Sequence, residues 1–178
     1  DKFLAQSDNV QMLFVVLNDE DIRVREQAIG IIGRLTRYNP AFVMPSFRKT
    51  TIRLLTQLKY YADIKTNEEA SLLMGKLIES SDVLMRPYVE PLLNNLLPKL
   101  SESISRSDGT TCIHLMNAIG DLVSIGTDVK AYTPSLMKSI IAVLQDKGNS
   151  QKRSNRREAA LVALGKLSRS TGYVVQPY

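Results

Sequence analysis

Four glycines recur on one step along this chain, each inside the same local string. A small residue, four positions and then Gly-x-Leu runs from Ala28 to Gly33 and Leu35, from Ala70 to Gly75 and Leu77, and from Ala160 to Gly165 and Leu167. Leu115 to Gly120 and Leu122 is the weaker copy. The glycines are 42, 45 and 45 residues apart. An aromatic residue followed shortly by proline keeps nearly the same step: Phe42 with Pro45, Tyr88 with Pro91, Tyr132 with Pro134, and Tyr173 with Pro177. Two independent markers on one period identify a repeat architecture, and a period in this range is that of paired helices.

Each period reads as a helical hairpin. Between Pro91 and Leu100 the apolar positions are 92, 93, 96, 97 and 100, one helical stripe. Proline near a helix start costs little, because the first amides have no partner in the helix. In the first period Val24, Ala28, Ile31, Ile32 and Leu35 share a face. Asp19, Glu20 and Asp21 precede it, where acids cap amides and complement the helix dipole. The patterns predict helices over 8–17, 21–37, 40–59, 64–80, 82–104, 109–125, 130–145 and 152–170, and no strand. A single hairpin cannot hide its apolar face, so neighbours must stack. The expected class is therefore all-α, an α-solenoid superhelix of about four hairpins. It forms one array over 1–178, with repeats at 8–38, 40–81, 82–126 and 128–171. The chain starts without Met and ends at Pro177-Tyr178 on what reads as a further helix over 173–178, as a piece of a longer protein does.

The repeated glycines lie inside predicted helices, where glycine costs roughly 1 kcal/mol against alanine. Their shared register calls for a compensating close approach by a neighbouring helix. Leucine at Gly33 or Gly165 is then expected to push helices apart.

Chemistry-bearing patterns are sparse. Gly30-Ile-Ile-Gly33 has no following Lys-Ser or Lys-Thr, so it is not a phosphate loop. The catalytic-loop Asp and Asn of protein kinases have no counterpart. Cys112 and His114 stand two apart on one predicted helix and point to different faces, so they cannot share a metal. Neither a catalytic residue, nor a cofactor, nor a metal, nor a small-molecule substrate is expected. The single cysteine excludes an internal disulfide and fits a reducing, intracellular compartment. No apolar run reaches 18 residues, so no membrane span is expected.

The most informative polar run is 147–157, which carries Lys147, Lys152, Arg153, Arg156 and Arg157 without one acid. It has two readings: a solvated loop between the helices of the fourth repeat, or a dock for an acidic or phosphorylated partner segment. Flanking bases also make Ser154 a candidate for phosphorylation. A net charge of +5 permits nucleic acid, but backbone binding needs cations spread along one groove and stacking aromatics between them. Here the surplus is local, and nucleic acid is not the expected partner.

The string from Leu17 to Leu35 resembles the HEAT repeat: an Asp in the turn, Val-Arg, then a small residue and a closing Leu. By that resemblance Asp19 and Arg25 would form a polar ladder between adjacent turns. Asn67 and Cys112 replace the Arg25 position in the second and third periods, and Arg157 keeps it in the fourth. Longer strings narrow the likeness. Asn39-Pro-Ala-Phe-Val-Met-Pro45, Arg86-Pro-Tyr-Val-Glu-Pro91 and Ser170-Thr-Gly-Tyr-Val-Val-Gln-Pro-Tyr178 resemble the HEAT region of the target of rapamycin (TOR) serine/threonine kinase family. The resemblance implies a non-catalytic arm preceding the FAT and kinase domains. Its implied partners are other parts of the same kinase and a Raptor-type regulatory subunit, and its implied place is the cytoplasm or the surface of vacuole or lysosome. Two other readings stay open: a HEAT scaffold of another class, such as a transport receptor or phosphatase scaffold, and a basic nucleic-acid-binding HEAT protein.

Overall fold

The structure is a computed structural model and describes residues 3–4, 6–106, 108–126, 128–146 and 151–178. Its helices are α1 (Ser7–Val16), α2 (Ile22–Leu35), α3 (Pro40–Tyr60), α4 (Ile64–Ser80), the single turn α5 (Asp82–Met85), α6 (Val89–Ser105), α7 (Gly109–Ile125), α8 (Thr133–Gln145) and α9 (Gln151–Thr171). Short 3-10 turns cover Arg86–Tyr88, Lys130–Tyr132 and Gly172–Val175. The described residues form no strand. The fold is all-α, of the α-solenoid kind.

The chain divides into two compact units, Asp1–Met85 and Arg86–Tyr178. In the first unit α1 pairs with α2 and α3 with α4, and the two hairpins stack chiefly through α2 on α4. The second unit repeats the plan: α6 pairs with α7, α8 with α9, and α7 stacks on α9.

Aspartates start three of the four second helices. Asp21 accepts the Arg23 amide, Asp63 the Thr66 amide and Asp108 the Thr111 amide, each from the N-cap position. A carboxylate there satisfies an amide that has no partner within the helix. The Thr66 amide and hydroxyl hold the Asp63 carboxyl below its ordinary value of 3.8. A group depressed on folding contributes stability that is fully present above 3.8 and is lost as pH falls through the lower folded value. Asp63→Asn keeps an amide acceptor without a titrating group. Urea melts across pH should therefore show the stability gap between parent and variant narrowing or reversing below pH 3.8, and flat above it.

The apolar stripe of α6 is buried at all five positions, Leu92, Leu93, Leu96, Leu97 and Leu100. On α2 the buried set is Ala28, Ile29, Ile32, Gly33 and Leu35, whereas Val24 is 40% exposed and Ile31 half-buried. The face read from the sequence is thus rotated. The neighbouring helices decide which side of α2 is covered: Ile29 and Gly33 are on it, and α4 closes on Gly33 through Ser80.

Two predicted helices are also interrupted. The expected helix over 82–104 breaks at 86–88, because Pro87 lacks an amide proton and bars its predecessor from ready helical geometry. The stretch read as the start of a further helix, 173–178, begins in a 3-10 turn. Gly172 takes φ +58, the left-handed conformation that ends α9, and a 3-10 turn follows. Pro91 and Pro134 sit in first turns as expected, but Pro45 lies inside α3 and Pro177 lies outside any helix.

Candidate interaction surfaces

The basic run splits once folded. Lys147 lies outside the described residues. Lys152, Arg153, Arg156 and Arg157 belong to the first turns of α9, a helix and not a loop. Three of them turn to one residue, Asp146. Arg156 Nη1 and Arg153 Nε each lie 3.5 Å from Asp146 Oδ2, and Arg157 donates to the Asp146 main-chain carbonyl. Arg156 is only 6% exposed. A buried guanidinium needs its counter-charge, because desolvation is costly for an unpaired ion. These arginines therefore tie the end of α8 to the start of α9, and Lys152 is left exposed to solvent. Asp146 stands just before the run, so a window opened at Lys147 hides the acid that two of its bases use.

Cys112 is buried beside the same cluster. Burial raises its thiol pKa, and the Arg156 guanidinium and the Ser103 hydroxyl only partly oppose this. A neutral, enclosed thiol is a packing group, not a nucleophile. His114, two residues on, is half-buried on α7. The described residues contain no group of three His, Cys, Asp or Glu side chains placed to hold a metal. None of their helices is long and apolar enough to cross a membrane.

The polar ladder differs from the one the resemblance implies. Asp19 accepts the Asp21 amide at 2.9 Å, closing the turn before α2. Arg25 reaches across the stack to Glu69 on α4, at 2.7 Å and part-buried. It serves the next hairpin rather than its own turn, because the N-terminal end of α2 lies against α4. Lys76 on α4 similarly lies 3.7 Å from Glu26. In the second unit Lys166 on α9 donates to Asp121 on α7 at 2.5 Å. At the Arg25 register, Asn67 is buried and donates to the carbonyls of Tyr61 and Asp63, so it braces its own turn.

The glycines divide as well. A methyl group on Gly33 would lie 2.1 Å from Ser80 Oγ and 2.2 Å from Ser80 Cβ, far inside contact distance. On Gly120 it would meet Ala163 Cα at 3.3 Å and Lys166 Cδ at 3.2 Å. These are the close approaches of α4 to α2 and of α9 to α7. Gly165 does not follow the expectation: no atom lies within 4 Å of the same position. No described helix covers that side of α9. Gly75 lies half-buried on α4. Small residues make the α7–α9 seam where Ala163 meets Gly120, and Ala159 and Ala160 are buried on the same helix. That seam was readable as an Ala-rich stretch in the sequence, but its partner was not.

Among the described residues, two of the larger hollows are open to solvent. One, of about 610 Å³, lies in the second unit where α6 begins and α7 ends, lined by Arg86, Glu90, Asn94, Ile125 and Asp128. The other, of about 500 Å³, is an apolar groove between α1 and α2, lined by Leu13, Val16, Val24, Ala28 and Ile31.

No family model matches the chain. Individual proteins do. It is 44% identical over 178 residues to the serine/threonine-protein kinase TOR2 of Saccharomyces cerevisiae, covering 99% of this chain. It is 40% identical over 180 residues to the serine/threonine-protein kinase TOR of Arabidopsis thaliana, and 36% identical over 178 to mTor of Drosophila melanogaster. The chain spans about 7% of the length of each of these curated relatives.

Proposed function

Because this chain is homologous over nearly its whole length to one segment of the TOR kinases, we propose that it is a non-catalytic HEAT scaffold segment of such a kinase. Its residues would form a single hairpin array that holds other parts of the kinase at set spacing and docks a Raptor-type regulatory subunit. By the same likeness it works in growth and nutrient signalling, in the cytoplasm or peripherally on vacuolar or lysosomal membrane. The observation that carries this reading is where the polar chemistry goes. Arg25, Arg156, Arg157 and Lys166 join one helix of the stack to the next. They converge on no shared cleft. That is the economy of a spacer with a contact surface.

The test uses the purified 178-residue chain. It should transfer no phosphate from ATP to a generic peptide, and it should bind the Raptor-type subunit or the remaining kinase in a sensor-surface assay. Phosphotransfer by the chain alone would overturn the reading. So would failure to bind either protein together with tight, steeply salt-dependent binding of nucleic acid. Arg153 and Arg156 turn to Asp146 and Arg157 donates to its carbonyl, which lowers the cation density that the basic run would offer to nucleic acid.

A further inference from the structure

The first helices of the two middle hairpins, α3 and α6, each leave one stripe open, and on α3 that stripe is charged. Pro45, Lys49, Ile52, Thr56 and Lys59 recur at helical spacing, and all five are exposed. They lie opposite the buried side of α3, which holds Val43, Phe47, Thr51 and Leu54. In α6 the same register holds Pro91, Asn95, Pro98, Glu102 and Ser105, where Glu102 is half-buried and the other four are exposed. The buried positions correspond as well: Val89, Leu93, Leu97 and Leu100. Both helices have a hairpin before them and a hairpin after them in the chain. The open stripe therefore belongs to the hairpin and not to an end of the array.

What differs is charge. α3 carries Arg48, Lys49, Arg53 and Lys59 and no acid, whereas α6 carries Lys99 against Glu90 and Glu102. Arg53 turns aside and donates to the Asn18 side-chain oxygen at 2.7 Å. Arg48, Lys49 and Lys59 are exposed, and among the described residues none of the three has an ion-pair partner. Lys59 lies 5.4 Å from the centre of the Tyr60 ring, a contact that leaves its charge unneutralised. Because α6 keeps the same register without these cations, the fold does not need them. Ile52 is 53% exposed between them, and Phe42 and Tyr60 stand exposed towards the two ends of the helix. Cations, an aliphatic side chain and aromatics with no acid among them suit an acidic partner.

We infer that the outward side of α3 docks an acidic helical segment of a partner protein, its carboxylates meeting Arg48, Lys49 and Lys59 and an apolar side chain between them resting on Ile52. Lys49 and Lys59 stand about 15 Å apart along the helix axis, so acids about ten residues apart on a partner helix reach both. An anionic membrane is the weaker occupant. Each cation contributes about 1 kcal/mol there, and one aliphatic side chain in the stripe adds little anchoring area. The inference rests on the charge of this helix, and it stands or falls independently of whether the chain binds a Raptor-type subunit.

Fluorescence anisotropy with the 178-residue chain tests it. The probe is a labelled, side-chain-cross-linked helical peptide of about four turns, with Glu at both ends of one face and Leu between them. Its control carries Gln for each Glu. The parent should bind the Glu peptide at least about tenfold more tightly than the Gln peptide, and added salt should narrow the gap. Lys49→Glu with Lys59→Glu should abolish the preference and bind a Lys version of the peptide instead, a gain that an unfolded variant could not show. Ile52→Asp should weaken binding of the Glu peptide by about tenfold. Lys130→Glu with Lys152→Glu makes the same change of net charge at exposed sites of the second unit and should bind as the parent does. Equal binding of the two peptides by the parent would overturn the inference. So would a second-unit pair that loses binding as fully as the α3 pair, which is the pattern of net charge alone. Phosphatidylserine vesicles complete the test: binding to them that depends on Lys49 and Lys59, without binding of the Glu peptide, would assign the stripe to a membrane and overturn the inference.

Discussion

Gly33→Leu should cost the first unit about 3 kcal/mol of stability, the upper end of the usual overpacking penalty. The first carbon of any side chain there would lie 2.1 Å from Ser80 Oγ, 2.2 Å from Ser80 Cβ and 2.8 Å from the Ser80 carbonyl oxygen. Rotating the Ser80 side chain relieves only the first of these. The other two force α4 away from α2 along the seam that stacks the hairpins. Gly165→Ala is the matched control. It has open space in the free chain, so helix propensity alone should make it neutral or stabilising by roughly 0.5–1 kcal/mol. Urea denaturation of both variants decides the matter. Equal effects at the two sites would show that the seam does not depend on the missing side chain. Ser80→Gly should restore part of the loss caused by Gly33→Ala, since it removes two of the three clashing atoms.

The second large effect belongs to the arginine cluster. Asp146→Ala should destabilise the second unit by about 3 kcal/mol, because it leaves the 6%-exposed Arg156 guanidinium without its counter-charge. Arg156→Met in the same chain should return most of that stability, as the buried cation is then replaced by an apolar group of similar length. Thermal and chemical melts of the two single variants and the double variant form a cycle that isolates the pair. If the double variant is no more stable than Asp146→Ala, the cost lies in the connection between α8 and α9 and not in the unpaired charge.

Much of the fold was legible along the chain. The α6 stripe from Leu92 to Leu100 has a strict helical spacing, and burial follows it at every position. Asp21, Asp63 and Asp108 stand before their helices as acids that cap, a signal that needs only local geometry. What local pattern cannot show is rotation about a helix axis. Val24 and Ile29 are both apolar on α2, and only the placement of the neighbouring helices leaves one exposed and the other buried. Prolines show the same limit. Pro87 breaks a helix that the apolar pattern would continue, whereas Pro45 and Pro98 sit within helices that persist around them.

The candidate sites were less legible for the same reason. Lys152, Arg153, Arg156 and Arg157 read as a basic patch, because charge is visible in sequence and pairing is not. Folding brings Asp146 within 3.5 Å of two of them and spends the patch on an internal tie. Arg25 had a nearby acid in Asp19, yet the carboxylate it reaches belongs to Glu69, 44 residues on.

The order of letters by itself determined that this chain makes helices in pairs on a fixed step, since periodicity, caps and breakers act within a few residues of one another. Tertiary structure decided which glycine is pressed by a neighbour, which arginine is buried and which apolar side stays open. Those outcomes depend on a second helix arriving from about 45 residues away, and strings of one pattern, such as those around Gly33 and Gly165, meet Ser80 in one place and open space in the other.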